Sequence, residues 1–259
     1  MKTYIVNLKE CVERRKHVLH EIEKYPFMDA EIIDAVNGKL MSDEEISRVF
    51  DIKKFKRRYG RFPVKGEIGC TLSHRKCYRS LLSTDEPYAL ILEDDVSFIS
   101  PEDTEFIIKQ GAKLLEEGKT DIVLFVPMLV LYNRPRKINE KYVVYPVYAA
   151  YETCAYLISR KGAKRLLKDK RSSLLADDFI YMNRHGIRIK AFYPNIAVGL
   201  STIDKMEGII GKEERKKVRL HVEFPFWEKV KRCVLFIYSI IAIKKGWLID
   251  KDYYKWSNK

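Results

Sequence analysis

A chain of 259 residues that is 46% hydrophobic and 33% charged is long enough for one large domain or two small ones, and this mix excludes a disordered, collagen-like or repeat protein. The net charge of +13 favours polyanionic partners: nucleic acid, an anionic membrane or phosphorylated ligands. Five scattered cysteines (Cys11, Cys70, Cys77, Cys154 and Cys233) with no C-x-x-C pair argue against a zinc site or a disulfide framework, so a reducing compartment is expected.

TYIVNL, residues 3–8, reads as a short buried strand, and CVERRKHVLHEIEKY has helical spacing with its charges outward. The apolar stretch at the N-terminus is too short for a signal peptide, so a cytoplasmic start is expected. AEIIDAVNGK gives a second strand that ends at the Asn37-Gly38 turn. Ser42 is a good N-cap for SDEEISRVF, whereas the basic DIKKFKRRYGRF is expected to be a solvated, mobile loop or helix end. In KGEIGCTLSHRKCYRSLLS, the spacing of Leu72, Cys77, Leu81 and Leu82 predicts a helix packed by one face. YALILEDDV is a third strand, and PEDTEFIIKQGAKLLEEG a helix with Pro101 near its start and Gly118 just past its end. DIVLFVP reads as a buried strand and KYVVYPVY as a more exposed one. ETCAYLISRKGAKRLLKD follows as strand, turn and helix, DDFIYMNRHG as a short helix closed by Gly186, and IRIKAFYP as an alternating strand. The alternation of strands and helices predicts an α/β fold, a mixed sheet covered by helices, whose ligands collect at the carboxyl ends of strands.

ALILEDDVSF puts three acids, Glu93, Asp94 and Asp95, at such an end. Strand alternation turns Glu93 and Asp95 one way and Asp94 the other. Two carboxylates on one side form a hard-oxygen clamp for Mn²⁺ or Mg²⁺, with water and substrate phosphate filling the remaining positions. Such an ion on a diphosphate would neutralise a nucleotide leaving group. The alternative is a solvated strand end paired with lysines. No P-loop or dinucleotide glycine fingerprint is present, so a kinase-like ATPase or a nicotinamide enzyme has no support.

YIVNLKECVERR (4–15), DAVNG (34–38), GEIGCTLSH (66–74) and ALILEDDV (89–96), followed by CAYLISRKGAKRLL (154–167), occur in an order that resembles glycosyltransferase family 25. This family holds the bacterial lipopolysaccharide and lipooligosaccharide glycosyltransferases. The resemblance implies a GT-A-type fold over residues 1–204, Rossmann-like in its nucleotide-binding half. It also implies inverting transfer of a hexose, galactose favoured, from a UDP-sugar to a lipid-linked surface glycan. Glu93-Asp94-Asp95 then stands at the D-x-D metal motif of the GT-A class, with Glu in first place. Asp95 is the leading ligand to Mn²⁺ (or Mg²⁺), Glu93 its companion, and Asp94 a donor-side contact.

The same resemblance assigns further roles. Asn7, Arg14 and Arg15 follow the first strand, where the nucleotide should lie; arginine suits phosphate through its planar fork, and the alternative is that both arginines cap a surface helix. Asp34 and Asn37 would hold base or ribose, or form a simple turn. Gly66 and Gly69 would admit a ligand to the backbone, and Glu67, Ser73 and His74 would contact the donor sugar; the helix pattern alone makes Ser73 and His74 capping and packing residues. Inversion needs a base for the acceptor hydroxyl, and SSLLADDFIYM offers Asp177, with Asp178 as alternate, or else a helix start that favours acids. Leu175 stands where the family often has proline. Ser201 and Asp204, in GLSTIDK, would touch donor phosphates or metal.

Residues 205–259 carry 14 Lys and Arg against 7 Asp and Glu. Cys233–Ile243 is a mostly apolar stretch between basic clusters, too short for the ~20 residues that span a bilayer. It reads as an interfacial segment for an anionic membrane, with Trp227 and Trp247 near the boundary, or as a core helix with solvated flanks. The expected setting is cytoplasmic, on the inner face of the cytoplasmic membrane. No nucleic-acid-binding signature accompanies the charge, so the rival from another class is a non-catalytic membrane- or polyanion-binding protein.

Overall fold

The computed structural model describes residues 1–203, 205–208, 223, 224 and 226–251; Asp204 lies outside them. Strand β1 (Lys2–Asn7) sits between β2 (Asp29–Asp34) and β3 (Tyr88–Glu93), parallel to both. The chain passes from β1 to β2 through helix α1 (Val12–Ile22). It returns to the other side of β1 through α2 (Asp43–Val49), α3 (Ile52–Tyr59) and α4 (Lys65–Leu82). Strand order therefore reverses at β1 and β3, which opens a crevice beyond their carboxyl ends, where open α/β sheets bind ligands.

Ala89, Leu90, Ile91 and Leu92 of β3 are fully buried, because a central strand covered on both faces has no solvent side on which to alternate. Burying each of the three larger side chains stabilises the fold by roughly 1.5–3 kcal/mol. Beyond β3 the sheet becomes mixed. β9 (Ala155–Ser159) runs antiparallel between β3 and β5 (Ile122–Leu124), and β10 (Ile189–Tyr193) runs parallel to β5. Then come β8 (Val143–Ala150), β6 (Leu129–Tyr132) and β12 (Leu248–Lys251), all antiparallel, with the two-residue β7 (Arg136–Lys137) beside β8. A separate ribbon of β4 (Val96–Phe98) and β11 (Ala197–Gly199) stands directly after the acids. Helix α5 (Pro101–Glu116) packs on β5 and β9, and α6 (Arg160–Leu166) on α4. This is the expected mixed α/β sheet covered by helices, with its parallel, Rossmann-like part first.

Two local expectations are corrected. The basic stretch 51–62 is no mobile loop: Asp51 caps α3 by accepting from the Lys54 N–H (2.9 Å), and Gly60, at φ +69°, ends it. Phe55 is fully buried among Ile46, Phe50, Ile68 and Leu72, so one apolar face prevails over many charges. Gly69 admits not a ligand but the loop after β2, since a Cβ there would lie 2.5 Å from the Val36 carbonyl oxygen.

Near the C-terminus, helix α8 (Phe226–Lys244) buries Ser239 and Ala242, and Ala242 packs with Val130, Tyr148 and Leu248. Its other side exposes Trp227, Val230, Val234, Ile237 and Ile241 at spacings of three and four residues. No helix among the described residues is long and apolar enough to cross a membrane.

Candidate functional site

The crevice is built where β1 and β3 end. Val6 pairs with Glu93, so the residues that follow, Asn7 and Asp94, meet across the strand ends. Asn7 is buried, and its Nδ2 donates to Asp94 Oδ2 (2.8 Å) and to the Cys11 carbonyl (3.3 Å). From the first turn of α1, Arg14 Nε donates to Asp94 Oδ1 (2.7 Å), and Nη2 lies 3.4 Å from Asp95 Oδ2. Burial works against the Arg14 charge, but the hydrogen bond and the charge of Asp94 outweigh it, and its pKa is raised. Both Asp94 oxygens are thus taken by the protein. Asp94 is a brace between β3 and α1 rather than a donor contact, and Arg14 is engaged with acids rather than open to phosphate.

Glu93 Oε1 accepts from the Thr153 hydroxyl and lies 3.2 Å from His74 Nε2. Burial would raise the Glu93 pKa, but the His74 hydrogen bond and charge, with Thr153, leave it lowered. His74 is fixed from behind by Tyr156 OH at Nδ1 (2.8 Å), itself 3.0 Å from Tyr78 OH. His74 does not cap α4; it lies deep within the helix, one turn after Cys70. Ligand atoms of Cys70, His74 and Glu93 lie within 4.8 Å of one another.

Asp95 is only 2% exposed. Its Oδ2 accepts from the Ser201 N–H (3.2 Å) and hydroxyl, and its carbonyl from the Leu200 N–H (2.9 Å). Its Oδ1 is buried with no partner. Burial first, and then the charge of Glu93, raise its pKa despite Arg14 and Ser201. A fourth acid, Glu152, follows β8 and was not singled out in the sequence. Its Oε1 accepts from the Gly199 N–H (2.6 Å) and from Thr202 Oγ1 (3.2 Å), and its Oε2 is buried without a partner. Burial pushes its pKa up to about 7, with the charges of Glu93 and Asp95 adding to that against hydrogen bonds from Cys154 and Gly199.

The other expected residues divide by position. Arg15 is exposed, one residue round the helix from Arg14. Asp34 pairs at the surface with Lys9 (3.0 Å). Asn37 caps the short 3₁₀ turn Gly38–Leu40 by accepting from the Lys39 N–H (3.1 Å), and its Nδ2 donates to Glu10. Glu67 is forked by Arg61 (2.7 and 2.8 Å) and accepts from the Val64 N–H (3.0 Å), which makes it the anchor of the α4 start rather than a sugar contact. Ser73 is buried, donates to the Gly69 carbonyl (2.7 Å) and accepts from the Val36 N–H (2.8 Å), splicing α4 to the β2 loop. Asp178 caps helix α7 (Phe179–Arg184) through the Tyr181 N–H (3.0 Å) and accepts from Tyr59 OH (2.6 Å), so it is held as a structural cap. Asp177 stands half-buried just before it. The structure therefore gathers Asn7, Arg14, His74, Glu93, Asp94, Asp95 and Ser201, and adds Glu152 and Thr153.

The family model described as "Glycosyltransferase family 25 (LPS biosynthesis protein)" matches residues 1–181. A glycosyltransferase 25 family member of Aedes aegypti is 31% identical over 180 residues, covering 64% of this chain and 28% of that protein. Procollagen galactosyltransferase 1-A of Xenopus laevis is 27% identical over 180 residues, with the same coverage, 64% and 28%. A Haemophilus influenzae protein with a glycosyltransferase name is 27% identical over 211 residues, 75% of this chain and 69% of that one. The chain spans less than a third of the length of the two animal relatives.

Proposed function

The chain belongs to glycosyltransferase family 25, and from that premise we propose that it transfers a hexose, with inversion, from a UDP-sugar to a lipid-linked bacterial surface glycan. Galactose is the favoured sugar, a choice supported by relatives named procollagen galactosyltransferases. The glycan assignment draws on the family's description as lipopolysaccharide biosynthesis proteins.

The observation that carries the reading is the unpartnered, buried Oδ1 of Asp95 beside Glu93 at the strand-order reversal. A buried anionic oxygen without a donor is costly, and hard carboxylate oxygens fit Mn²⁺ or Mg²⁺. Glu93 and Asp95 would hold the ion, which when bound supplies charge neutralisation to the departing UDP. His74 and Thr153 orient Glu93, Ser201 orients Asp95, and Arg14 with Asn7 keeps Asp94 from turning into the crevice. Asp177 is the base in this reading. It takes the acceptor hydroxyl's proton while that oxygen bonds to the anomeric carbon and the bond to the UDP oxygen breaks on the opposite side.

The protein works, in this proposal, on the inner face of the cytoplasmic membrane. The exposed stripe of α8 from Trp227 to Ile241, with exposed Lys229, Lys231, Lys244 and Lys245 around it, has the chemistry of a helix lying in an anionic lipid surface. The double change Trp227→Ser, Ile237→Ser tests this, because both side chains are exposed and neither supports the core. Pelleting with anionic vesicles should be lost, and unchanged pelleting would refute the anchor.

Calorimetric titration of UDP, with Mn²⁺ and with EDTA, into wild type and Asp95→Ala tests the central reading. Binding that needs both the metal and Asp95 is expected. No UDP binding under any condition would mean another nucleotide, or a family fold without its chemistry.

A further inference from the structure

Cys70 and His74 stand one turn apart on α4, so both side chains leave the same face of the helix. Helix α4 packs against β3, and Glu93 is the last residue of that strand. A thiol, an imidazole and a carboxylate thereby come within 4.8 Å of one another, the one group of three such donors in mutual reach among the described residues. The helix carrying two of them is pinned on either side of Cys70. Gly69 lies against the Val36 carbonyl, and the Ser73 hydroxyl accepts from the Val36 N–H (2.8 Å).

His74 is supported from behind. Tyr156 OH lies 2.8 Å from Nδ1, and Tyr78 OH 3.0 Å from Tyr156 OH. Hydroxyls rotate to donate or accept. With the imidazole proton on Nδ1, Tyr156 accepts it and turns its own hydrogen to Tyr78, while Nε2 presents a lone pair on the Glu93 side. Metal-bound histidines are oriented by such a partner on the other nitrogen. The 3.2 Å between Nε2 and Glu93 Oε1 suits an ion held in common, because tetrahedral coordination at ordinary Zn–N and Zn–O lengths sets two such atoms roughly 3.3 Å apart. His74 is buried, but Cys70 is partly exposed and the Glu93 side chain is 26% exposed. An ion can therefore enter from solvent.

We infer that Cys70, His74 and Glu93 form a site for a thiophilic divalent cation of the Zn²⁺ type, with a fourth position for water. Thiolate and imidazole favour such an ion over Mn²⁺ or Mg²⁺, and the thiol proton leaves to solvent as it binds. The lack of a C-x-x-C pair is no obstacle, since the ligands come from one helix turn and a strand end. Resting on the reading that Glu93 and Asp95 hold the hard cation, the two sites share Glu93. A carboxylate drawn to the thiophilic ion is lost to the other, so this ion acts as an inhibitor at the donor site.

The test uses Co²⁺, which occupies zinc sites and reports a thiolate ligand by near-ultraviolet charge-transfer absorption, on the full chain. Wild type and Asp95→Ala should both show this band, Zn²⁺ should abolish it, and Cys70→Ser should lack it. Glu93→Gln, with the thiol intact, should bind Co²⁺ about tenfold or more weakly. No thiolate band in wild type, an equal band in Cys70→Ser, or wild-type affinity in Glu93→Gln overturns the site. The second arm is Mn²⁺-supported UDP binding with and without an equivalent of Zn²⁺. Affinity should fall by about tenfold or more in wild type and hold in Cys70→Ser. Zn²⁺ replacing Mn²⁺ directly at the acids would act on both proteins alike, and that result overturns the shared carboxylate. A thiolate band lost in Cys70→Ser, in a protein that binds no UDP, supports the site and removes the nucleotide reading alone.

Discussion

Asp121, just before β5, and Asp95, just past β3, are both 2% exposed or less, yet the protein treats them in opposite ways. Asp121 accepts from the Arg188 backbone N–H (2.9 Å), Nε (3.0 Å) and Nη2 (3.1 Å), with Arg165 at 3.4 Å. Burial opposes its ionisation, but the Arg188 hydrogen bonds prevail and hold its pKa below the usual carboxylate range. Asp95 has a raised pKa and an idle oxygen. One acid closes an ion pair at the amino end of a strand; the other is left open at a carboxyl end. Burial of an acid is therefore no mark of function. An anionic oxygen with unused bonding capacity, at the end of the sheet where ligands gather, is such a mark.

Asp95→Ala is the strongest attempt to break this contrast. Steady-state transfer is expected to fall by roughly a thousandfold or more, the several kcal/mol a cation supplies at a leaving group. The unfolding temperature should stay close to wild type. Next comes Asp177→Asn, for which transfer should drop by about 10²–10⁴-fold while calorimetric UDP affinity holds; full activity would rule Asp177 out as the base.

Asp121→Asn should show the reverse profile. Breaking a buried pair costs about 3 kcal/mol, at the lower end because Arg188 is partly exposed, while Mn²⁺ and UDP binding are unaffected. Its pH dependence has a definite sign. The folded pKa lies below the unfolded one, so the stabilisation is complete above roughly pH 4 and is lost as pH falls further. Urea unfolding curves of wild type and variant should converge in acid; a gap that persists there would contradict the ion-pair account. The smallest effect is expected for Tyr59→Phe, which removes a hydroxyl bonded to Asp178 (2.6 Å) and to the Leu175 N–H (3.1 Å). About 1 kcal/mol of stability should go.

The acids at the end of β3 were legible in sequence because of a local contradiction: an apolar run cannot end in Glu93, Asp94 and Asp95 without a reason. Asn7 was legible for the same positional cause, as the polar end of a buried strand. Glu152 was not. Its weight comes from a left-handed backbone and from the missing Cβ of Gly199, nearly fifty residues away; as a letter it is only a glutamate opening ETCAYLIS. Glu67 misled in the other direction, since its partner Arg61 belongs to a basic stretch that reads as solvated. Helix α3 was obscured similarly, because a count of lysines and arginines hides the face of Ile52, Phe55 and Tyr59. Ser73 and His74 look like capping residues in GEIGCTLSH, and only the full length of α4 shows that they point into the protein.

Pairing of β12 with β6 has a practical consequence for anyone trimming the basic C-terminus. Leu129, Val130 and Leu131 of β6 are fully buried, and β12 occupies their outer row of amide and carbonyl groups. A chain cut before Leu248 would present that row bare, and a flat apolar rim recruits strands from other molecules. Strand β12 is a stopper on the sheet, so cutting it away should be expected to give inclusion bodies before it gives a tidier enzyme.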